Sequence, residues 1–174
     1  MTIIYHENDG DARLIHTKTV TIIGYNPFTH YLCEQLRHLP VRLLVSGTTN
    51  DQMNARDAGW QIEIPAVAVA QADMIVLSVS DEDLSDIYMT QVARGLRKGQ
   101  MLIFKSAYAI AFGFIEPPPF IDVGLLSPRT APHSNIPTRN FIGVWQDASR
   151  NAWEQLLGFA NAVGLLSGGA LEVS

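Results

Sequence analysis

Short runs of apolar, mostly β-branched residues alternate along this chain with longer stretches whose apolar residues recur at helical spacing. The apolar runs predict buried strands, at Val20–Ile23, Leu43–Val45, Met74–Val79, Met101–Phe104, Val123–Leu126 and Phe141–Trp145. The amphipathic stretches predict helices, at Phe28–Leu39, Gln52–Ala58, Asp83–Leu96 and Ser149–Val163. Strands that alternate with helices in this way form right-handed crossovers, so the pattern indicates a parallel sheet.

Helix-start residues support these boundaries. Ser80 followed by Asp83 is typical of a capping box, and Ser149 stands in a similar place before the last predicted helix. The connecting segments, among them the stiff Pro117–Pro119 run, are too short to be domain linkers. We therefore predict an α/β fold of the doubly wound type, with a mostly parallel, Rossmann-like sheet in a single domain that spans residues 1–174.

Composition and charge exclude several functions. Hydrophobic residues make up 47% of the 174 residues and charged residues 17%, which is typical of a compact globule. The net charge of -5 and the absence of a basic run argue against nucleic acid as a partner. No apolar run approaches the ~20 residues that a membrane span needs. The single cysteine, Cys33, and the lack of a signal-peptide pattern at the start favour a cytoplasmic protein.

The turn after the first predicted strand is the first candidate binding site. It reads Gly24-Tyr-Asn26-Pro27-Phe28-Thr29, and Asn26 followed by Pro27 is a strong helix start. A helix that begins there points its N-terminus at the carboxyl edge of the sheet, where a phosphate can bind. However, Pro27 has no amide, the Asn26 side chain would occupy another amide, and Phe28 adds bulk. A purely structural helix cap and a phosphate site therefore both remain open.

Two further groups of residues lie where ligands bind in open α/β sheets. After the second strand, Ser46, Thr48 and Thr49 offer hydroxyls and Asn50 an amide that suit a 2′-phosphate, but the same composition is typical of a plain turn. Lys105, Ser106, Arg129 and His133 should meet above the strand ends, where two cations and an imidazole could hold a carboxylate or a phosphate. Polar loops are found at any sheet edge, so this second group is a weak catalytic candidate.

The segment Thr19-Val-Thr-Ile-Ile-Gly-Tyr25 resembles the start of the N-terminal domain of ketol-acid reductoisomerase. The similarity continues in one register through Ala72–Leu77, Ser80–Glu82, Ile110–Gly113, Ser127–Arg129 and Trp145–Ala152. The family is NADPH- and magnesium-dependent and acts in branched-chain amino-acid biosynthesis. The resemblance therefore implies NADP as the cofactor and adds Ser80, with Gly24, Asn26, Phe28 and Thr29, to the predicted cofactor-binding residues.

The chain departs from the family where the chemistry would be. Asn26 and Thr29 replace two glycines of the family's phosphate-binding turn, Ser106 replaces its active-site histidine, and Arg129 replaces its lysine. The resemblance also places Ser174 just before the family's helical domain, whose carboxylates hold two magnesium ions. We therefore expect no metal site in these residues and no complete reductoisomerase activity.

Three hypotheses follow for the function. The first is a regulatory or partner-dependent module that binds NADP or a related nucleotide weakly. The second is a divergent NADP-dependent oxidoreductase, or one that a helical domain on another chain completes. The third is an interaction protein that keeps only the fold. Without the helical domain, we expect Trp153, Leu156, Leu157 and Phe159 to leave apolar surface exposed, which favours a homo-oligomer or a separate helical partner.

Overall fold

The computed structural model describes residues 3–129 and 139–174. Eight strands form one sheet: β1 (Ile4–Tyr5), β2 (Thr19–Ile23), β3 (Arg42–Ser46), β4 (Met74–Leu77), β5 (Met101–Phe104), β6 (Asp122–Ser127), β7 (Asn140–Gln146) and β8 (Ala170–Glu172). All six predicted strands are present. The short pairing strands β1 and β8 were not predicted, because two or three residues are too few to show a period.

The strand order is β1-β8-β7-β6-β5-β4-β2-β3, and β2 to β6 are all parallel. The prediction of a parallel sheet is therefore confirmed for β2 to β6. Strand β7 runs antiparallel to β6, and β1 runs antiparallel to β8. From β2 the chain crosses to β3 on one side and then returns to β4 on the other. The crevice between the carboxyl ends of β2 and β4 is thus the switch point of the sheet, where open α/β folds bind their ligands.

In the described part of the chain, six α-helices accompany these strands: α1 (Pro27–Leu36), α2 (Thr49–Asp57), α3 (Pro65–Gln71), α4 (Asp81–Ile87), α5 (Tyr108–Ala111) and α6 (Ala152–Ala162). Helix α1 ends before the predicted Leu39, since the residue before Pro40 disfavours helical backbone. Helix α3 and the one-turn α5 were not predicted. Two short 3₁₀ segments, Glu7–Asp9 and Ala12–Ile15, precede β2.

The predicted helix Asp83–Leu96 is divided. Helix α4 passes at Tyr88–Val92 into a π-helical turn and then at Ala93–Gly95 into a 3₁₀ turn. Gly95 lies against helix α3, where an added Cβ would stand 3.0 Å from the Val69 side chain. The change of helix type therefore coincides with close packing that a regular pattern of apolar residues does not reveal.

Both faces of the sheet are buried, which explains the continuous apolar strands. Alternate residues of each strand enter two different core clusters: Val76 and Ile103 pack with α1 and α6, whereas Ile75 and Leu102 pack with α3 and α4. Cys33 of α1 is fully buried in the first cluster. Burial raises the pKa of its thiol to about 12, so the thiol is protonated and unreactive at neutral pH.

The prediction that the last helix leaves an apolar face exposed is wrong. Leu156, Leu157 and Phe159 are buried, because the 3₁₀ segment Ala12–Ile15 covers α6. The cover is close: a Cβ added at Gly158 would lie 2.7 Å from the Asp11 carbonyl oxygen. The half-buried Trp153 ring lies 5.4 Å from that of Tyr5 on β1. The segment before β2 thus supplies the cover that we expected a partner to provide.

Ser149 does not cap α6 as the sequence suggests. Its hydroxyl donates to the Asp122 carboxylate at 2.6 Å, and Asn151 is the residue that precedes the helix. Within residues 3–129 and 139–174, no helix is long and apolar enough to cross a membrane.

Candidate functional site

Gly24 lies at the switch point, directly after β2. Its φ of +97° is in the left-handed region, and an added Cβ would stand 2.4 Å from the Ser78 carbonyl oxygen. Its amide donates to the Ser46 carbonyl at 2.9 Å. Gly24 is therefore needed for the close approach of the turn to the ends of β3 and β4, whether or not a ligand binds.

Asn26 caps helix α1 with Pro27 in the first helical position, as the sequence predicts. Its side-chain oxygen accepts hydrogen bonds from the amides of Phe28, at 3.1 Å, and Thr29, at 3.2 Å. In return, the Thr29 hydroxyl accepts the Asn26 amide at 2.8 Å. The two residues that replace glycines thus hold each other in place through a reciprocal capping box.

The same Asn26 side chain also crosses the crevice. Its Nδ2 group donates to the carbonyl oxygen of Ser78 at 2.7 Å and lies 3.0 Å from the Ser78 hydroxyl. The orientation of the amide follows from the contacts, because a carbonyl can only accept and the two helix amides can only donate. Ser78 is buried at the end of β4. One side chain therefore joins the start of α1 to the neighbouring strand.

Asp51 forms a second bridge, from the β3–α2 loop to the turn. Its carboxylate accepts the Tyr25 amide at 3.0 Å and also the amide and hydroxyl of Thr48, at 2.9 and 2.7 Å. With the His30 amide bonded to the Asn26 carbonyl, every backbone amide from Gly24 to His30 has an acceptor within the protein. These amides, the kind of group through which a glycine-rich turn reaches a pyrophosphate, therefore all bond within the protein.

The Tyr25 side chain anchors the outer side of the turn. Its hydroxyl accepts the indole N–H of Trp60 at 2.8 Å and lies 2.7 Å from Nδ1 of His30. Since the Trp60 N–H can only donate, the Tyr25 hydroxyl is free to donate its own hydrogen to His30. Burial raises the pKa of the Tyr25 hydroxyl.

The hydroxyls predicted to meet a 2′-phosphate have other partners. Ser46 is fully buried, and its hydroxyl donates to the Glu63 carbonyl at 2.7 Å. The Thr48 hydroxyl caps α2 and donates to Asp51. Thr49 and Asn50 are exposed in the first turn of α2. Of the four residues predicted to meet a 2′-phosphate, only Thr49 and Asn50 have side chains that are exposed and make none of these hydrogen bonds.

A cleft of about 520 Å³ lies beside the crevice, over the ends of β4, β5 and β6. Its lining includes Lys105 and Ser106 from the β5–α5 turn, Ser80 and Asp81 from the start of α4, and Phe141 of β7. The Arg129 guanidinium lies 5.0 Å from the Phe141 ring. The structure thus brings Lys105, Ser106 and Arg129 to one edge, whereas His133 lies outside the described residues.

Two of the predicted hydroxyls in this cleft are occupied by local contacts. Ser80 caps α4 by accepting the Asp83 amide, but its hydroxyl, not its backbone amide, donates to the Asp83 carboxylate, at 2.7 Å, so the predicted capping box is only half formed. The Ser106 oxygen accepts the Tyr108 amide at 3.3 Å.

No group of three or more His, Cys, Asp or Glu residues in the described ranges has a geometry that could hold a metal ion.

Sequence reasoning missed Ser78 and the bridging role of Asp51. The spacing Thr48-x-x-Asp51 is a capping box and could have located that carboxylate near the N-terminus of α2. No local pattern marks Ser78, since its role depends on Asn26, which is 52 residues away. The sequence also gave no indication that Tyr108, Phe112 and Phe114 form an exposed aromatic cluster, with ring centroids 4.8 to 6.5 Å apart.

The switch-point crevice and the strand order define the class of protein: an α/β domain of the dinucleotide-binding type. Residues 14–169 match the family profile described as "Acetohydroxy acid isomeroreductase, NADPH-binding domain". The chain belongs to this family, the N-terminal domain of ketol-acid reductoisomerase.

Relatives with this enzyme's name extend well beyond the matched region. Ketol-acid reductoisomerase (NADP(+)) of Renibacterium salmoninarum is 31% identical over 185 residues, covering 100% of this chain and 54% of that protein. The enzyme of Haloarcula marismortui is 31% identical over 183 residues, covering 99% of this chain and 53% of its own length. The chain thus spans about half the length of the curated relatives it matches.

Solved structures show the same fold. An NADH-preferring ketol-acid reductoisomerase from an uncultured archean superposes with a TM-score of 0.88 at 23% identity, over 99% of this chain and 56% of that one. A semialdehyde dehydrogenase NAD-binding protein from Cupriavidus necator, in complex with calcium and NAD, has a TM-score of 0.72 at 16% identity, over 91% of this chain and 63% of that one.

The Asn26 bridge can be tested by Asn26→Asp. A carboxylate keeps the helix cap but loses the donor to Ser78 and faces its carbonyl oxygen. We expect a loss of about 1–3 kcal/mol in the free energy of unfolding, measured by urea denaturation. The matched variant Asn151→Asp, before α6, should change it by less than about 0.5 kcal/mol, because Asn151 makes no side-chain cap bond. Equal effects of the two substitutions would contradict the bridge.

Proposed function

We propose that this chain is a weak nucleotide-binding module of the reductoisomerase type, which takes NADP across Gly24–Thr29 and Ser46–Asn50 and works with a partner. Its place in the NADPH-binding family supports the ligand class. The proposed low affinity rests on one observation: the backbone amides from Gly24 to His30 already donate hydrogen bonds within the protein. We extend the proposal to a role in branched-chain amino-acid biosynthesis in the cytoplasm, where the free thiol of Cys33 would stay reduced.

The proposed weakness has a physical origin in displaced hydrogen bonds. A pyrophosphate that reaches the amides of Phe28 and Thr29 must first remove the Asn26 oxygen from them. The Asn26 side chain would then also leave the buried Ser78 carbonyl without its donor. An unsatisfied buried acceptor costs about 1–3 kcal/mol, which alone lowers affinity by one to two orders of magnitude.

Calorimetric titration with NADPH and NADH tests this proposal. We expect a dissociation constant well above that of an intact glycine-rich site for both nucleotides. Asn26→Gly should tighten binding, because it exposes the two helix amides and opens the backbone to the phosphates. Asn151→Gly removes an asparagine that also precedes a helix, but at the opposite edge of the sheet, and should leave affinity unchanged. Tight binding by the unaltered chain would overturn the proposed role of Asn26 and Phe28.

We further propose that these 174 residues on their own do not catalyse the reductoisomerase reaction. Ser106 stands at the position of the family's histidine, and a serine hydroxyl is not an acid or base near neutral pH without strong activation. Its oxygen accepts the Tyr108 amide, which fixes it as part of a turn. The exchange of Lys for Arg at position 129 changes the geometry of the remaining cation as well.

The assay is oxidation of NADPH with 2-acetolactate and magnesium by the purified chain. We expect no measurable turnover, and none from Ser106→His, because the histidine alone supplies neither metal ligands nor a tight cofactor site. Turnover that survives repurification and disappears in Arg129→Ala would instead support a divergent NADP-dependent oxidoreductase, the alternative to our proposal.

A role in protein interaction is a second candidate, and a specific surface favours it. Tyr108, Phe112 and Phe114 are 46, 68 and 56% exposed, and Trp145 on β7 is 64% exposed. An apolar pocket of about 190 Å³ extends from α5 to Trp145. Contiguous exposed apolar surface of this kind commonly marks a contact with another protein or a second copy of the chain.

Light scattering over a range of concentrations tests self-association. We expect a mass above that of the monomer, and a return to the monomer in the double variant Phe112→Ser, Phe114→Ser, since these rings would leave solvent on association. Met53→Ser, which changes an exposed methionine of α2 outside this surface, is the control. A monomer mass for the unaltered chain at every concentration would count against a homo-oligomer.

A further inference from the structure

The occupied amides raise the question of what else in this protein can neutralise a phosphate. Binding a nucleotide phosphate requires either a set of free backbone donors or a cationic side chain. The turn from Gly24 to His30 has no free amide, and Asp51 brings a negative charge to its other side. A cationic side chain beside the turn would compensate for these occupied amides.

Lys105 is placed for this. Its backbone amide continues the pairing of β5 with β4 by donating to the Leu77 carbonyl at 3.2 Å, which fixes the start of the side chain. From there the side chain reaches back across the end of β4, and its ammonium lies 5.9 Å from the centroid of the Phe28 ring. The ammonium group thus lies between the carboxyl end of β5 and the first turn of α1, beside the switch-point crevice.

The charges around Lys105 leave it available. None of the acidic side chains in residues 3–129 and 139–174 forms an ion pair with it. Its contact with the Phe28 ring is electrostatically favourable, but a ring face at this distance does not use the hydrogen-bond donors of the ammonium. The lining of the cleft also includes Ser80, Ser106 and Asp81, whose carboxylate forms no ion pair with Lys105. Arg129 lies instead beside Phe141, on another wall.

We propose that Lys105 supplies the phosphate contact of the nucleotide site in place of the backbone amides of the β2–α1 turn. The inference rests on the proposed function, because it assumes that a nucleotide binds. Phe28 and Lys105 then act together: the ring occupies the space that a glycine-rich turn leaves for the pyrophosphate, and the ammonium shifts the phosphate toward β5. A lysine suits this role, since its compact charge on a flexible stem adjusts to a phosphate that no rigid turn positions.

The experiment separates the phosphate from the rest of the ligand. Binding of adenosine, ADP, NADH and NADPH is measured by calorimetry and ligand-observed NMR for the unaltered chain, Lys105→Met and Lys105→Arg. We expect ADP to bind about tenfold more tightly than adenosine to the unaltered chain, which is a usual size for a hydrogen bond to a charged group. Lys105→Met should remove this preference for ADP without weakening the binding of adenosine. Lys105→Arg should retain most of the preference.

The control is Lys98→Met, an exposed lysine at the opposite edge of the sheet, which should leave the ratio unchanged. Because the affinities for ADP and adenosine are compared within each variant, a general loss of folded protein does not affect the comparison. An ADP-to-adenosine ratio that is equal in Lys105→Met and the unaltered chain overturns the inference while the proposed function stands. If none of the four ligands binds the unaltered chain, the proposed function and the inference both fail.

Discussion

The hydrogen bond from the Asn26 side chain to the Ser78 carbonyl is the constraint on which the carboxyl edge of this sheet depends. It fixes where α1 begins, because the same side chain caps that helix. It also holds the turn against β4 at the point where the strand order reverses. To make both sets of contacts, a side chain needs an oxygen that accepts two hydrogen bonds and a group that donates one. The asparagine side chain has both.

Two neighbouring side chains at this edge act in the same way as Asn26. Thr29 returns a hydrogen bond to the Asn26 backbone, and Asp51 accepts the next amide along the turn. Each of these groups occupies a donor that a phosphate would otherwise use. The protein's own side chains therefore order this edge, and under the proposed function a nucleotide would have to displace them.

Much of the fold could be predicted because its sheet is buried on both faces. Continuous apolar strands such as Met101–Phe104 and the Asn26–Pro27 helix start need only local information. Helix α3 was missed because its Pro-Ala-Val-Ala-Val sequence has no polar face to give a helical period. The site was harder, since the Asn26–Ser78 and Tyr25–Asp51 bonds join residues 52 and 26 positions apart. The covered face of α6 was misjudged for the same reason: its cover comes from Ala12–Ile15, at the other end of the chain.

The bond between the Trp60 indole and the Tyr25 hydroxyl gives this edge a built-in optical reporter. Trp60 is half-buried and stands directly behind the turn, whereas Trp145 is on β7 and Trp153 on α6. An indole N–H that exchanges a fixed phenolic acceptor for water changes its emission spectrum. With phenylalanine at positions 145 and 153, the fluorescence of this protein would report any ligand or substitution that breaks this bond, without any added dye.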